Sequence, residues 1–356
     1  MTEAAVAVET VLRELEPSVE RLLARHLDAA RDWLPHQYVP WGAGRDYDGP
    51  LGGTAWSPEQ SALPRAVQDA LVVNLLTEDN LPSYHFEIAT RFGRDGAWGA
   101  WVHRWTAEED RHAAVLRAYV HARRAVDPVA LEELRMRHVG TGFRSDLPTP
   151  LHSLAYVTVQ ELATRQAHRN VGAACHDAAG QRLMARIAAD ENLHMLFYRD
   201  LFADALGFFP DAALTALADV LHGFAMPGAT IPGFRARAVR IAAAGIYNVD
   251  VHLAHVVTPL LRGLKVATLP GLGPAGERAR DRLVLHLERL GAQAARAREL
   301  FERMNTDSGT GADADAGTGT GTSRGRGRGR GSETKTDRYA DRNTAVAAVR
   351  AREAQA

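Results

Sequence analysis

The chain has 356 residues, a formal charge of −1 and 46% hydrophobic residues, enough to bury one large core or two ordinary ones. The near-zero charge excludes a strong global field for nucleic acid or membrane surfaces, and no uncharged apolar run approaches the ~18 residues of a membrane span. A single cysteine, Cys175, excludes a disulfide within the chain. Together with an acidic N-terminus lacking the basic and apolar blocks of a signal peptide, it points to a cytoplasmic protein.

Helical periodicity dominates up to about Asn305, and alternating β-branched runs are nearly absent. The spacing predicts helices over 4–30, 60–90, 96–124, 128–138, 150–177, 179–206, 211–222, 232–262 and 274–304, so the expected class is all-α with one domain over 1–304. From 305 to 337 the composition collapses to Gly, Thr, Ser, Asp and Arg, which cannot bury apolar surface and reads as a disordered linker. The final 338–356 contains an Ala-rich stretch that is at best a marginal helix without partners. The Arg-Gly run Arg324–Gly331 has the composition of a nucleic-acid tail. No folded nucleic-acid module accompanies it, so a flexible linker is the better reading and no nucleic-acid partner is expected.

Within helix 179–206 the apolar stripe runs Met184, Ile187, Glu191, His194, Tyr198, Leu201, with a carboxylate and an imidazole where leucines belong. Helix 96–124 does the same: Trp98, Val102, Trp105, Glu109, His112, Leu116, Tyr119. Two Glu-x-x-His pairs are weak evidence by count alone. What precedes them strengthens it. Leu71, Leu75 and Glu78 share one helix face upstream of the first pair, and Leu154, Val157, Glu161, Thr164 and His168 share one upstream of the second. Glu78 precedes Glu109 by nearly the interval that separates Glu161 from Glu191, which fits two antiparallel helices joined by a short loop in each half.

A buried carboxylate is costly unless paired or metal-bound. Four converging glutamates and two histidines repel one another unless cations balance them, and two divalent irons cancel four carboxylate charges. Positions i and i+3 of a helix share a face, so the Glu and His of one motif can reach one ion. This is the di-iron carboxylate pattern of ferritin-like four-helix bundles. Glu109 and Glu161 are the candidates for bridging, with Glu78 and Glu191 as ligands to one iron each.

Blander assignments compete at individual positions. Thr106-x-x-Glu109 matches a helix capping box, although the stripe already begins at Trp98. Asp219/His222 and His252/His255 have ligand-like spacing but no matched half, and read as structural. Trp98, Trp101 and Trp105 read as core packing, with electron relay the sharper assignment for Trp105. Pro82 leaves the Glu78 carbonyl without its helical donor, loosening or ending that helix. Arg235–Arg240, with Arg262 and Lys265, offers a basic patch, but a solvated helix face is the simpler account.

“LTEDNLP”, “WTAEEDRH”, “QELAT” with His168 a turn later, and “ADENLH” resemble, in order and spacing, the soluble acyl-acyl-carrier-protein desaturases, most closely their actinobacterial branch, over roughly residues 5–300. The resemblance implies a ferritin-like bundle core with additional helices, usually a homodimer. It implies cis double-bond formation in a carrier-bound acyl chain, using O2 and two electrons from ferredoxin or a similar donor. Carried over by position, the iron ligands are Glu78, Glu109, His112, Glu161, Glu191 and His194. Thr164 matches a threonine beside the oxygen site, and Asp190 and His168 match residues that orient ligands, with Trp105 in the same shell. A hydroxylase or N-oxygenase on the same bundle, or a non-catalytic iron-storing helical protein, are the alternatives. The glycine-rich tail departs from the family's pattern.

Overall fold

The structure, a computed structural model, describes residues 7–226 and 228–310. Among the described residues there is no β-strand, only an isolated bridge between Tyr47 and Thr54. The molecule is built of helices α1 (Val8–Ala29), α2 (Arg65–Glu78), α3 (Leu81–Phe92), α4 (Gly96–Ala122), α5 (Pro128–Thr141), α6 (Pro150–Ala174), α7 (Ala178–Phe208), α8 (Pro210–Gly223), α9 (Phe234–Ala243), α10 (Val249–His252), α11 (Thr258–Gly263) and α12 (Pro274–Thr310). A π-helical turn, Leu253–Val257, joins α10 to α11. No helix among the described residues is long and apolar enough to cross a membrane.

Local chemistry sets several of these ends. Asp127 accepts from the amides of Val129 and Ala130 at the start of α5, Thr149 from that of His152 at the start of α6, and Asp177 from that of Gly180 at the start of α7. Pro128 and Pro150 sit in the first turn, where no amide donor is needed. Helices α3 and α5 stop at Gly93 (φ 96°) and Gly142 (φ 71°), conformations that a β-carbon disfavours.

Two expected helices are broken. The span 60–90 divides at Asp79–Asn80, because Pro82 has no N–H to give the Glu78 carbonyl and instead occupies the first turn of α3. The span 232–262 divides at Gly245 (φ 70°), and Asn248 Oδ1 restarts the helix by accepting the Val251 amide at 2.9 Å. Helix α12 runs to Thr310, past the Asn305 boundary that composition suggested. The rest of the expected linker and the 338–356 tail lie outside the described residues.

Helices α2, α4, α6 and α7 form the four-helix core; α1 packs on α4 and α7, and α8 packs on α6 and α7 with α12 outside it. The apolar interior falls into two clusters. One holds Trp98, Trp101, Leu154, Phe197 and Phe202; the other holds Leu71, Leu75, Leu116, Tyr119, Leu183 and Ile187. Along both α4 and α7 the polar pair lies where one cluster gives way to the other, so the bundle has a charged waist between two greasy halves.

Candidate metal centre

Glu78 is the last residue of α2; Glu109 and His112 lie in α4, Glu161 in α6, and Glu191 and His194 in α7. All six are buried, none more than 7% exposed. Their ligand atoms form two nests, Glu78, Glu109, His112, Glu191 and Glu109, Glu161, Glu191, His194, each with its atoms within 4.8 Å of one another. The structure thus brings together all six sequence-predicted ligands. Thr106 lies inside α4, its hydroxyl donating to the Val102 carbonyl at 2.7 Å, so Glu109 is not a capping-box residue.

The residues shared by the two nests are Glu109 and Glu191, where the sequence put forward Glu109 and Glu161 for bridging. The reason is symmetry. Glu109 and Glu191 are the glutamates of the two Glu-x-x-His motifs, so in a two-fold repeated site they occupy equivalent places. Glu161 is instead the counterpart of Glu78, and each belongs to one nest.

The donor set fits metal cations on two grounds. First, Glu161 Oε2 is fully buried without a hydrogen-bond partner, and His194 Nδ1 faces only the carboxylates of its own nest, 2.9 Å from Glu109 Oε1 and 3.7 Å from Glu161 Oε2. Second, the cage relieves its own repulsion by holding protons. Burial, reinforced by neighbouring glutamates, pushes Glu78 and Glu161 well above the usual carboxylate range. Burial opposes charge on His112 and His194, yet the surrounding carboxylates raise both. Glu109 is held low despite its burial, by His112 and His194 beside it. Divalent cations replace protons in such a cage.

Around the ligands lies a layer that sequence reasoning saw only in part. His112 Nε2 donates to Asp190 Oδ2 at 3.5 Å, and Trp33 Nε1 donates to the same oxygen at 2.6 Å. His194 Nε2 donates to Glu108 Oε2 at 2.9 Å, and so does His26 Nε2 at 2.9 Å. Asp190 therefore serves the histidine of the other motif rather than its neighbour His194, and Glu108 does the converse. Glu108, His26 and Trp33 were missed. For Glu108 a signal existed, because it precedes Glu109 as Asp190 precedes Glu191.

The remaining expected residues also reach the ligands. His168 is buried and pushed down to about 4 by desolvation, hence neutral at pH 7. It donates from Nε2 to Glu78 Oε1 at 3.3 Å and accepts at Nδ1 from Asn74 Nδ2 at 3.3 Å. Thr164 Oγ1 lies 3.2 Å from Glu191 Oε2, and Trp105 Nε1 donates to Glu161 Oε1 at 3.1 Å. A pocket opens beside this end of the site, with Glu78, Glu109, Glu191 and Thr164 in its wall. Tyr84, Ile88, Phe92, Trp105, Leu147 and Val157 supply most of the apolar lining. Away from the nests Glu87 and Arg91 also line it, and Arg91 donates to the Leu147 carbonyl at 2.6 Å.

Elsewhere the polar pairs are structural. Asp219 accepts from His152 (3.3 Å) and Arg282 (2.6 Å), and Tyr247 hydrogen-bonds His252. In the basic run, Arg237 (2.7 Å) and Arg240 (2.5 Å) are both spent on the buried Asp69 of α2.

A four-helix core carrying two Glu-x-x-His helices around paired carboxylate–imidazole nests that could hold metal ions defines a ferritin-like helical protein. The chain belongs to the fatty acid desaturase family, whose model matches residues 8–310. It is 48% identical over 288 residues to a Mycobacterium tuberculosis protein named as the acyl-[acyl-carrier-protein] desaturase DesA1, covering 79% of this chain and 85% of that one. To DesA2 of the same species it is 37% identical, covering 74% and 92%. To the chloroplastic acyl-[acyl-carrier-protein] desaturase 6 of Oryza sativa it is 34% identical, covering 76% and 70%. The X-ray structure of M. tuberculosis DesA2 superposes with a TM-score of 0.63 at 32% identity, covering 73% of this chain and 97% of that one.

Proposed function

We propose that the chain is a di-iron acyl-[acyl-carrier-protein] desaturase, with Glu78, Glu109, His112, Glu161, Glu191 and His194 as iron ligands and Glu109 and Glu191 shared between the ions. The observation that carries the reading is the pair of nests joined through two glutamates beside a mostly apolar pocket. Removing two hydrogens from an unactivated CH2–CH2 unit lies beyond any side-chain acid, base or nucleophile, and reduced iron supplies the O2 chemistry required.

The chain's own residues hold and orient. Trp105 engages Glu161 Oε1 and leaves Oε2 free to ligate. His168 steadies Glu78 through its Nε2–H, in a tautomer fixed by Asn74. Asp190 and Glu108 occupy the outer nitrogens of His112 and His194, so both present Nδ1 inward. Thr164 keeps an exchangeable hydroxyl proton beside Glu191 at the pocket wall. The pocket's apolar lining excludes water from an acyl chain laid past the nests.

The relatives' names motivate acyl carrier protein as the partner that delivers the chain. A ferredoxin-type donor and a homodimeric assembly complete the reading. Iron-loaded protein given reductant, 18O2 and acyl carrier proteins of graded chain length should yield an alkene two mass units lighter than substrate and free of label. A labelled alcohol or oxime would instead make it a hydroxylase or N-oxygenase.

A further inference from the structure

We infer that His26 and Glu108 are positioning residues for His194, so that the first helix, which supplies no ligand, sets the affinity of the second metal nest far more than that of the first. The inference rests on the two-metal reading above. Glu108 lies outside the ligand set, yet it is 3% exposed, and a carboxylate buried that deeply is costly unless fully engaged. Its Oε2 accepts from His26 Nε2 and His194 Nε2, both at 2.9 Å, and its Oε1 accepts from Arg104 Nε at 2.6 Å.

Each of these contacts has a consequence for His194. A histidine whose Nε2–H is bound cannot flip its ring or switch tautomer without breaking that bond, so its Nδ1 lone pair stays aimed into the nest. His194 Nδ1 is buried there among the nest's own carboxylates, 2.9 Å from Glu109 Oε1 and 3.7 Å from Glu161 Oε2. His26, in the last turn of α1, holds the accepting oxygen of Glu108 in place. Its ring also stacks on His194 (centroids 5.9 Å, 22° between planes) and stands edge-on to Trp101 (5.1 Å). His26 therefore constrains both the carboxylate that grips His194 and the plane of the imidazole itself.

The first nest is held by different residues. There Asp190 is the carboxylate, and Trp33, beyond the end of α1, replaces His26. The clasp on His112 is longer, 3.5 Å against 2.9 Å on His194. The two clasps share no hydrogen-bonded residue; only Arg111 touches both, its Nη2 lying 3.7 Å from Glu108 Oε1 and 3.6 Å from Asp190 Oδ2, so weakening the Glu108 clasp acts chiefly on His194.

The test is anaerobic titration of metal-free protein with Co(II), following its visible ligand-field bands, with helix content checked by circular dichroism. Glu108→Gln and His26→Phe should weaken one of two Co(II) ions by about 10–100-fold and the other far less. His26→Gln, which keeps a donor, should recover part of that loss. In a Glu161→Gln background, already lacking the second nest, Glu108→Gln should add little; in a Glu78→Gln background it should weaken the remaining ion by the same factor of about 10–100. Equal weakening of both ions, or two-ion binding at full affinity in folded Glu108→Gln and His26→Phe, overturns the inference. A wild-type chain that takes up fewer than two ions overturns the two-metal reading and this inference with it.

Discussion

At Glu109 and Glu191 a single side chain serves both nests, whereas Glu78 and Glu161 each serve one. Substituting a shared ligand should therefore lower affinity for both ions, and substituting an unshared one should spare its neighbour. Glu109→Gln and Glu191→Gln are expected to abolish paired-metal binding, while Glu78→Gln and Glu161→Gln retain about one ion per chain. Metal analysis of the purified variants by plasma mass spectrometry reads the difference. Equal stoichiometry across all four would show that the sharing is not what the geometry indicates. At this scale the candidate ligands were legible in the chain because each interrupts an apolar stripe at helical spacing. Which two glutamates the nests share was read differently from the sequence, as Glu109 and Glu161; treating the two halves of the repeat as equivalent points to Glu109 and Glu191 instead. His26 and Trp33 were not legible. A lone histidine on an apolar face usually packs in the core, and only the crossing of α1 over α4 and α7 brings these two to the carboxylates that precede the ligand glutamates.

Among the elements, α7 shows how closely the helices are fitted. Its third residue, Gly180, sits where a β-carbon would come within 2.5 Å of Tyr119 Oη and 2.7 Å of Cys175 Sγ. Tyr119 cannot swing away, since its ring is 1% exposed and its hydroxyl donates to Asp177 at 2.7 Å, the same carboxylate that caps α7. Gly180→Ala gains about 1 kcal/mol of helix propensity but forces an overpacking cost of about 1–3 kcal/mol and strains the cap. The balance is a lower Tm, measurable by thermal denaturation. On the outside, Asp69→Ala should loosen α9 from α2 by about 1–3 kcal/mol, because Arg237 and Arg240 both lose their buried acceptor. The element boundaries themselves followed from periodicity, except where one residue overrode it. Pro82 splits the 60–90 span and Gly245 splits the 232–262 span. Both breaks are visible as residue types, but hydrophobic spacing continues across them and hides where the helix stops.

For the molecule as a whole, the charged waist makes folding, metal and pH a single linked system. In the metal-free cage Glu78 and Glu161 titrate above their ordinary value of 4.5, and His112 and His194 above theirs of 6.5. A group whose pKa is raised on folding binds more protons folded than unfolded. Its stabilisation is complete below the unfolded pKa and is lost as pH rises through the folded one. These four groups should therefore withdraw stability from the metal-free protein as pH climbs from 4.5 through 6.5 and beyond, the carboxylates beginning first, against the opposite contribution of His168, His252 and His286, each pushed down to about 4. Metal binding has the opposite sign, because ions displace those protons and bind more tightly as pH rises. The gap in Tm between metal-loaded and metal-free protein is thus expected to widen steadily over that range, with protons released on Fe(II) addition at neutral pH. Parallel calorimetric scans across a pH series, with proton release followed by an indicator dye, measure both quantities. A gap that narrows with pH, or metal uptake without proton release, would mean that the cage does not carry its protons on the residues that face the ions. Its repulsion would then be relieved by the clasping arginines and histidines around it.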